Sequence, residues 1–202
     1  MATKVKGTCT IRFARSKLAS AVAEGDSVPA GAIVSTAEGS SLMLISADKT
    51  GAYVEAQSTL RIEALATRQA RPHWALVTGE VVVGVTPAQD SKAADFMLET
   101  PVGEVSSSAA TFRVVFHPAE LDATPSFGLE CLAGLARWTP HAGPEIDVIG
   151  GKAASLVYGA MPKSTAPTGT PPSPKVMPME GVALRDLTQV AVAIASATAL
   201  PQ

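Results

Sequence analysis

The stretch Leu76-Val77-Thr78-Gly79-Glu80-Val81-Val82-Val83 decides the fold class. Side chains branched at Cβ suit an extended, pleated backbone and lose rotamer freedom in a helix. A glycine inside such a run marks a bulge, a tight bend or the close approach of another backbone. Cys131-Leu132-Ala133-Gly134-Leu135-Ala136-Arg137-Trp138 repeats the device, with apolar residues three before the glycine and two and four after it. A weaker copy surrounds Gly151. Gly79 and Gly134 are therefore expected at bends where a side chain would strike neighbouring backbone.

Outward from this stretch the chain alternates between short extended runs and turn chemistry. Val5 to Phe13 alternates, with Val5, Cys9, Ile11 and Phe13 on one face. Further strands are expected at 33–36, 41–46, 52–56, 58–63, 74–77, 81–83, 96–100, 111–116, 129–138, 146–149 and 154–158. Ser16 to Glu24 has a composition that also suits a short helical turn closed by Gly25. Such spacing predicts an all-β fold, a β-solenoid-like or twisted β-sandwich domain of about ten short strands. It carries a proline-rich linker and a C-terminal tail that is strand or helix.

The boundaries follow composition. Residues 1–161 form the β domain. Residues 162–178 hold six prolines among 17 positions and read as a semi-rigid, extended linker. Residues 179–202 form a docking segment. From Val190 to Leu200 every odd position is alanine and no charge or proline interrupts the run. Period-two alternation with β-branched residues favours a strand, whereas Leu184, Leu187, Ala191 and Ile194 at 3-4-3 spacing suit a helix. Leu187, Val190, Val192, Ile194 and Leu200 are the expected partner-binding residues. They would join a sheet edge of this molecule or of another copy by strand addition, or pack as a helix on their own domain.

The 202 residues carry 16 basic and 18 acidic side chains, 17% charged and 47% hydrophobic, which argues against a nucleic-acid binder and against global disorder. No apolar run is long enough to span a bilayer as a helix. His73, His117 and His141 lack metal-ligand spacing, and no C-x-x-C pair exists. No G-x-S-x-G elbow occurs, Gly150-Gly151-Lys152 lacks the pattern of a phosphate loop, and the carboxylates are dispersed. No enzyme, cofactor or metal is expected. Cys9 and Cys131 read as buried free thiols, with a bridge between an early and a late strand as the alternative in an oxidising compartment.

The order of these landmarks resembles the FecR domain of bacterial surface-signalling regulators and surface proteins. Gly25-Asp26-Ser27-Val28 leads to Gly31-Ala32-Ile33-Val34-Ser35-Thr36, and Ser41-Leu42-Met43-Leu44 follows. Leu76 to Val83 matches the family's Leu-x-x-Gly stretch. Phe96-Met97-Leu98-Glu99-Thr100-Pro101-Val102-Gly103 precedes Ala110-Thr111-Phe112-Arg113-Val114, with Ala110 where the family carries glycine. The resemblance covers about residues 5–158. It implies a β domain outside the cytoplasm, in periplasm or at the cell surface, with its signal segment absent from this chain. It also implies work by protein contact without catalysis. Low charge, apolar composition and a strand-like segment on a semi-rigid linker suggest first a structural or interaction protein that assembles with copies of itself through the tail. The others are a periplasmic sensing module of a sigma-factor regulator, bound to a receptor's signalling domain, and a polymer- or carbohydrate-binding surface module.

Overall fold

The computed structural model describes residues 1–13, 16–67, 71–87, 95–119, 125–157 and 175–178. Fifteen strands run in chain order: β1 (Ala2–Lys6), β2 (Cys9–Arg12), β3 (Ala19–Ala21), β4 (Ile33–Thr36), β5 (Ser41–Ile45), β6 (Gly51–Val54), β7 (Thr59–Ala64) and β8 (His73–Val85). They continue with β9 (Phe96–Thr100), β10 (Gly103–Ser107), β11 (Ala110–His117), β12 (Ser126–Pro140), β13 (Ile146–Ile149), β14 (Lys152–Val157) and β15 (Lys175–Pro178).

The strands build two layers. The first sheet runs β1-β5-β6-β8-β11-β12-β14-β15, and the second runs β3-β2-β4-β7-β8-β9-β10-β12-β13. Two long strands belong to both. β8 pairs with β7 and β9 before Gly79 and with β6 and β11 after it. β12 pairs with β11 and β14 up to Gly134, and with β10 and β13 beyond it. The ring β8-β11-β12-β10-β9 closes on itself, and the inner faces of both layers share one core. Leu42, Val54, Leu60, Leu76, Val83, Phe112 and Leu129 lie in it. Trp74 meets Phe96 edge-on at 5.2 Å, and Phe127 stacks on Trp138 at 4.3 Å.

The all-β class and the twisted sandwich are what forms. A solenoid of stacked coils is not. Among the described residues every strand pairing but one is antiparallel, and the exception, β8 with β9, spans three residue pairs. More strands form than the expected ten because a kink at Gly7 divides Val5 to Phe13 and because β3, β10 and β15 form where no strand was expected. Gly7 has a φ of 71°, so Val5 to Phe13 splits into β1 in the first sheet and β2 in the second. Ser16 to Glu24 forms no helical turn; its middle is β3, held extended by β2. Gly79 (φ 93°) and Gly134 (φ 81°) sit where expected. A Cβ on Gly79 would stand 2.5 Å from Ser58 Cα, and one on Gly134 would stand 2.3 Å from the Ala109 carbonyl. Ala110 needs no positive φ, because the left-handed residue of that pair is Gly134 across the ladder. Lys175 to Pro178, within the proline-rich stretch, pairs antiparallel with β14.

Candidate interaction edges

An open sheet edge offers unpaired amides and carbonyls to a partner strand, and proteins normally guard such edges. Of the four sheet ends among the described residues, three are guarded. The β1 edge is closed by the 24–26 turn: Ala2 N–H donates to the Asp26 carbonyl at 2.9 Å, and Gly25 N–H donates to the Ala2 carbonyl at 2.9 Å. Val5 N–H reaches Glu24 Oε1 at 3.2 Å. The β13 edge carries a charged rim, with Arg137 Nε 2.9 Å from Asp147 Oδ1 and 3.0 Å from Glu145 Oε1. β15 ends on Pro178, which has no amide hydrogen to offer a further strand.

β3 is different. Val22 N–H donates to the Cys9 carbonyl at 2.9 Å. Antiparallel alternation then turns the polar groups of Ser20 toward β2 and leaves those of Ala19 and Ala21 facing away. All three β3 residues are exposed and none is charged. Leu18 beside them is 80% exposed, and Phe13 at the end of β2 is 44% exposed. Arg12 and Lys17 flank the pair and are also exposed. The result is an unguarded edge with two apolar anchors inside a basic border. Sequence reasoning missed it because Ala-Ser-Ala has no strand propensity of its own, and the available signal was an unexplained Leu18.

The five residues expected to bind a partner, Leu187, Val190, Val192, Ile194 and Leu200, lie outside the described residues. The remaining candidate is a groove of about 230 Å³ on the outside of the second sheet, lined by Arg61, Ala75, Val77, Glu99, Pro101 and His141. It opens where β8 leaves β9 to bend into the first sheet. His73 Nε2, buried and without a hydrogen bond, lies 3.7 Å from Glu99 Oε2. Small-molecule sites usually enclose about 300–1,000 Å³ of largely apolar space, so this shallow groove of mixed charge is a poor one.

Among the described residues no group of three His, Cys, Asp or Glu could hold a metal. Both cysteines are buried and free. The strongest polar cluster is structural. Arg113 on β11 donates to Glu80 on β8 through Nε at 2.6 Å and Nη2 at 2.7 Å, and to Glu130 on β12 at 3.1 Å. Hydrogen bonding to Glu80 raises the guanidinium further above its ordinary range, so it stays charged. It ties three strands of the first sheet together.

Comparison with known proteins adds a fold. No protein-family model and no curated protein matches the chain. Two solved structures of a "putative anti-sigma factor" from Parabacteroides distasonis ATCC 8503 do. They are 16% and 15% identical, each with a TM-score of 0.51 over 62% of this chain. This chain is similar to 54% of theirs, so it spans about half the length of these neighbours. No helix among the described residues is long and apolar enough to cross a membrane.

Proposed function

We propose that the chain is a FecR-like, non-catalytic sensing module of a sigma-factor regulator, working outside the cytoplasm, and that β3 receives a strand from its protein partner. The open β3 edge carries the reading. Its outward amides and carbonyls at Ala19 and Ala21 supply main-chain pairing, and the exposed Phe13 and Leu18, both next to the Arg12–Ala19 end of the β2–β3 pair, supply apolar contacts. The likeness in fold to the anti-sigma-factor structures supports it, as does the order of glycine landmarks from Gly25 to Gly134. The partner chemistry that fits is an extended segment with free backbone polar groups, apolar side chains and acidic flanks to meet Arg12 and Lys17.

Calorimetric titration with a purified receptor signalling domain tests this, using the intact chain and an Ala21→Pro variant. Proline at 21 removes an outward amide and leaves the β2–β3 bonds of Ser20 intact. The expected result is binding by the intact chain, weakened about tenfold or more by the variant, since a lost hydrogen bond is worth about 1 kcal/mol and its carbonyl neighbour is displaced with it. Equal affinity for both would remove β3 from the interface. An intact chain that binds no signalling domain would remove the sensing role.

A further inference from the structure

The second sheet ends on β3 at one side and on β13 at the other, and among the described residues each pairs with a single neighbour, β2 and β12. The Gly150 N–H donates to the Gly134 carbonyl at 2.9 Å, which fixes the alternation along β13. Ile146 and Val148 turn their main-chain groups toward β12, and those of Asp147 and Ile149 face away. Side chains follow the same parity. Val148, Ala136 and Trp138 point into the core, so Asp147 and Ile149 stand on the outer face with Arg137 and Leu135. At the other edge Ile11 points into the core, so Ala19 and Ala21, whose main-chain groups face away, share the outer face with Arg12 and Thr10. Both edges thus offer main-chain groups from residues whose side chains stand on the outer face. Two such edges joined antiparallel pair these residues with each other and keep core face beside core face.

The charges at the two edges are opposite. Asp147 and Glu145 share the single guanidinium of Arg137, at 2.9 and 3.0 Å, which leaves one negative charge over. At β3, Arg12 and Lys17 are exposed, and among the described residues neither has a carboxylate partner. Each edge also carries two exposed apolar side chains, Phe13 and Leu18 at one, Leu135 and Ile149 at the other. We propose that the β13 edge of one molecule adds to the β3 edge of a second copy, antiparallel with Asp147 opposite Ala19, so that the second sheet continues from copy to copy. Ala19 pairs with Arg12, so this register sets Asp147 two strand spacings, about 10 Å, from Arg12 with only a methyl group between them. The rim that repels a like edge from β13 suits a basic one. Because the two edges differ, the contact is head-to-tail, each copy keeps one edge free, and assembly grows into a ring or a filament. A bound copy and the receptor strand assigned above would exclude one another at β3, but the contact between copies does not rest on that assignment.

Sedimentation velocity at high micromolar to millimolar concentration reads the contact, which is short and therefore weak. The intact chain is compared with Arg12→Glu, which reverses the β3 border, and with Asp147→Lys, which reverses the β13 rim. Both positions are exposed, and circular dichroism confirms that each variant remains β. Ala21→Pro, which blocks β3 by removing an outward amide, should act as Arg12→Glu does and keeps the test valid if charge reversal unfolds the domain. The intact chain should gain mass with concentration and lose it with added salt, and each variant alone should associate about tenfold or more weakly. Mixed in equal amounts, Arg12→Glu and Asp147→Lys should form a dimer and nothing larger, because one intact β3 edge and one intact β13 edge remain between them. A monomeric intact chain, undiminished association of either variant, or a mixture that stays monomeric would overturn the proposal. No receptor enters the measurement, so its result stands apart from the sensing role.

Discussion

Where β8 passes from one layer to the other, Glu80 and Ser58 are joined: the Glu80 amide donates to Ser58 Oγ at 2.8 Å. That oxygen also lies 3.1 Å from both the Ala56 and the Glu80 carbonyls, one of which takes its proton. Thr8 and Ser40 repeat the arrangement at the β1–β2 kink, with the Thr8 amide 2.9 Å from Ser40 Oγ. Each serine ends a turn whose third residue has positive φ, Gln57 at 55° and Gly39 at 65°. Each also occupies the space that a side chain on the facing glycine, Gly79 or Gly7, would need. Two crossings thus use one local solution. Ser58→Ala leaves a buried amide without an acceptor and should cost about 1–3 kcal/mol, read as a lower urea midpoint at unchanged slope.

Gly79→Ala should cost about 1–3 kcal/mol from backbone strain, and more from the clash with the Ser58 backbone. Gly25→Ala provides the contrast. Gly25 has a similar φ of 90° with nothing within 4 Å of an added Cβ, so strain acts there alone. Equal losses at the two sites would show that close approach at Gly79 contributes nothing.

Arg71 holds three loops from within. Its side chain is 5% exposed, donates to the Thr86 carbonyl at 2.7 Å and the Ser108 carbonyl at 3.2 Å, and lies 3.8 Å from Asp48. Arg71→Ala should cost on the order of 3 kcal/mol, because it strands two carbonyls and a carboxylate. Lysine should recover a minor part, since one ammonium cannot span both carbonyls. Denaturant melts of both variants check this.

The Glu55 carboxyl is pushed above its usual 4.5, first by burial and then by the Glu80 charge, against the opposing pull of Arg113 and Lys6. The folded state therefore keeps this proton at pH values where the unfolded chain has lost it. Its contribution to stability is full below pH 4.5 and is lost as pH rises through the raised value. Glu55→Gln should melt higher than the parent at pH 7, and the gap should close toward pH 4. A gap that does not change with pH would assign the effect to packing.

Burial raises the thiols of both Cys9 and Cys131 above their ordinary range. Neither should react with a thiol reagent in the native state, and both should react after unfolding, with no change in melting temperature on adding reductant. A native chain that yields no free thiol on unfolding would point to a bridge instead.

Most of the body was legible because its strands carry their own signal. The run 41–46 became Ser41–Ile45 and 96–100 became Phe96–Thr100, since short runs of large apolar residues stand there between turn residues. The glycine device at Gly79 and Gly134 was readable for the same reason. What alternation cannot show is whether a strand stays in one layer, so 74–77 and 81–83 read as two strands where β8 is one. β3 and β15 were illegible because pairing imposes their extended state on Ala-Ser-Ala and on a stretch flanked by prolines. The binding edge was hidden with β3, because an open edge is a fact about neighbours and not about residue types.

Because β8 and β12 each serve both layers, neither layer can come away while the other stays intact. Separating them requires breaking ladders on either side of Gly79 and Gly134 together. Hydrogen exchange should accordingly find one slow cooperative unit spanning the central strands of both sheets, with β3 and β15 opening far sooner. Folding faces the matching constraint. β8 needs partners from residues 51–64 and from 96–116 before either half is secure, so the chain must close long loops in both directions and should fold slowly for its size.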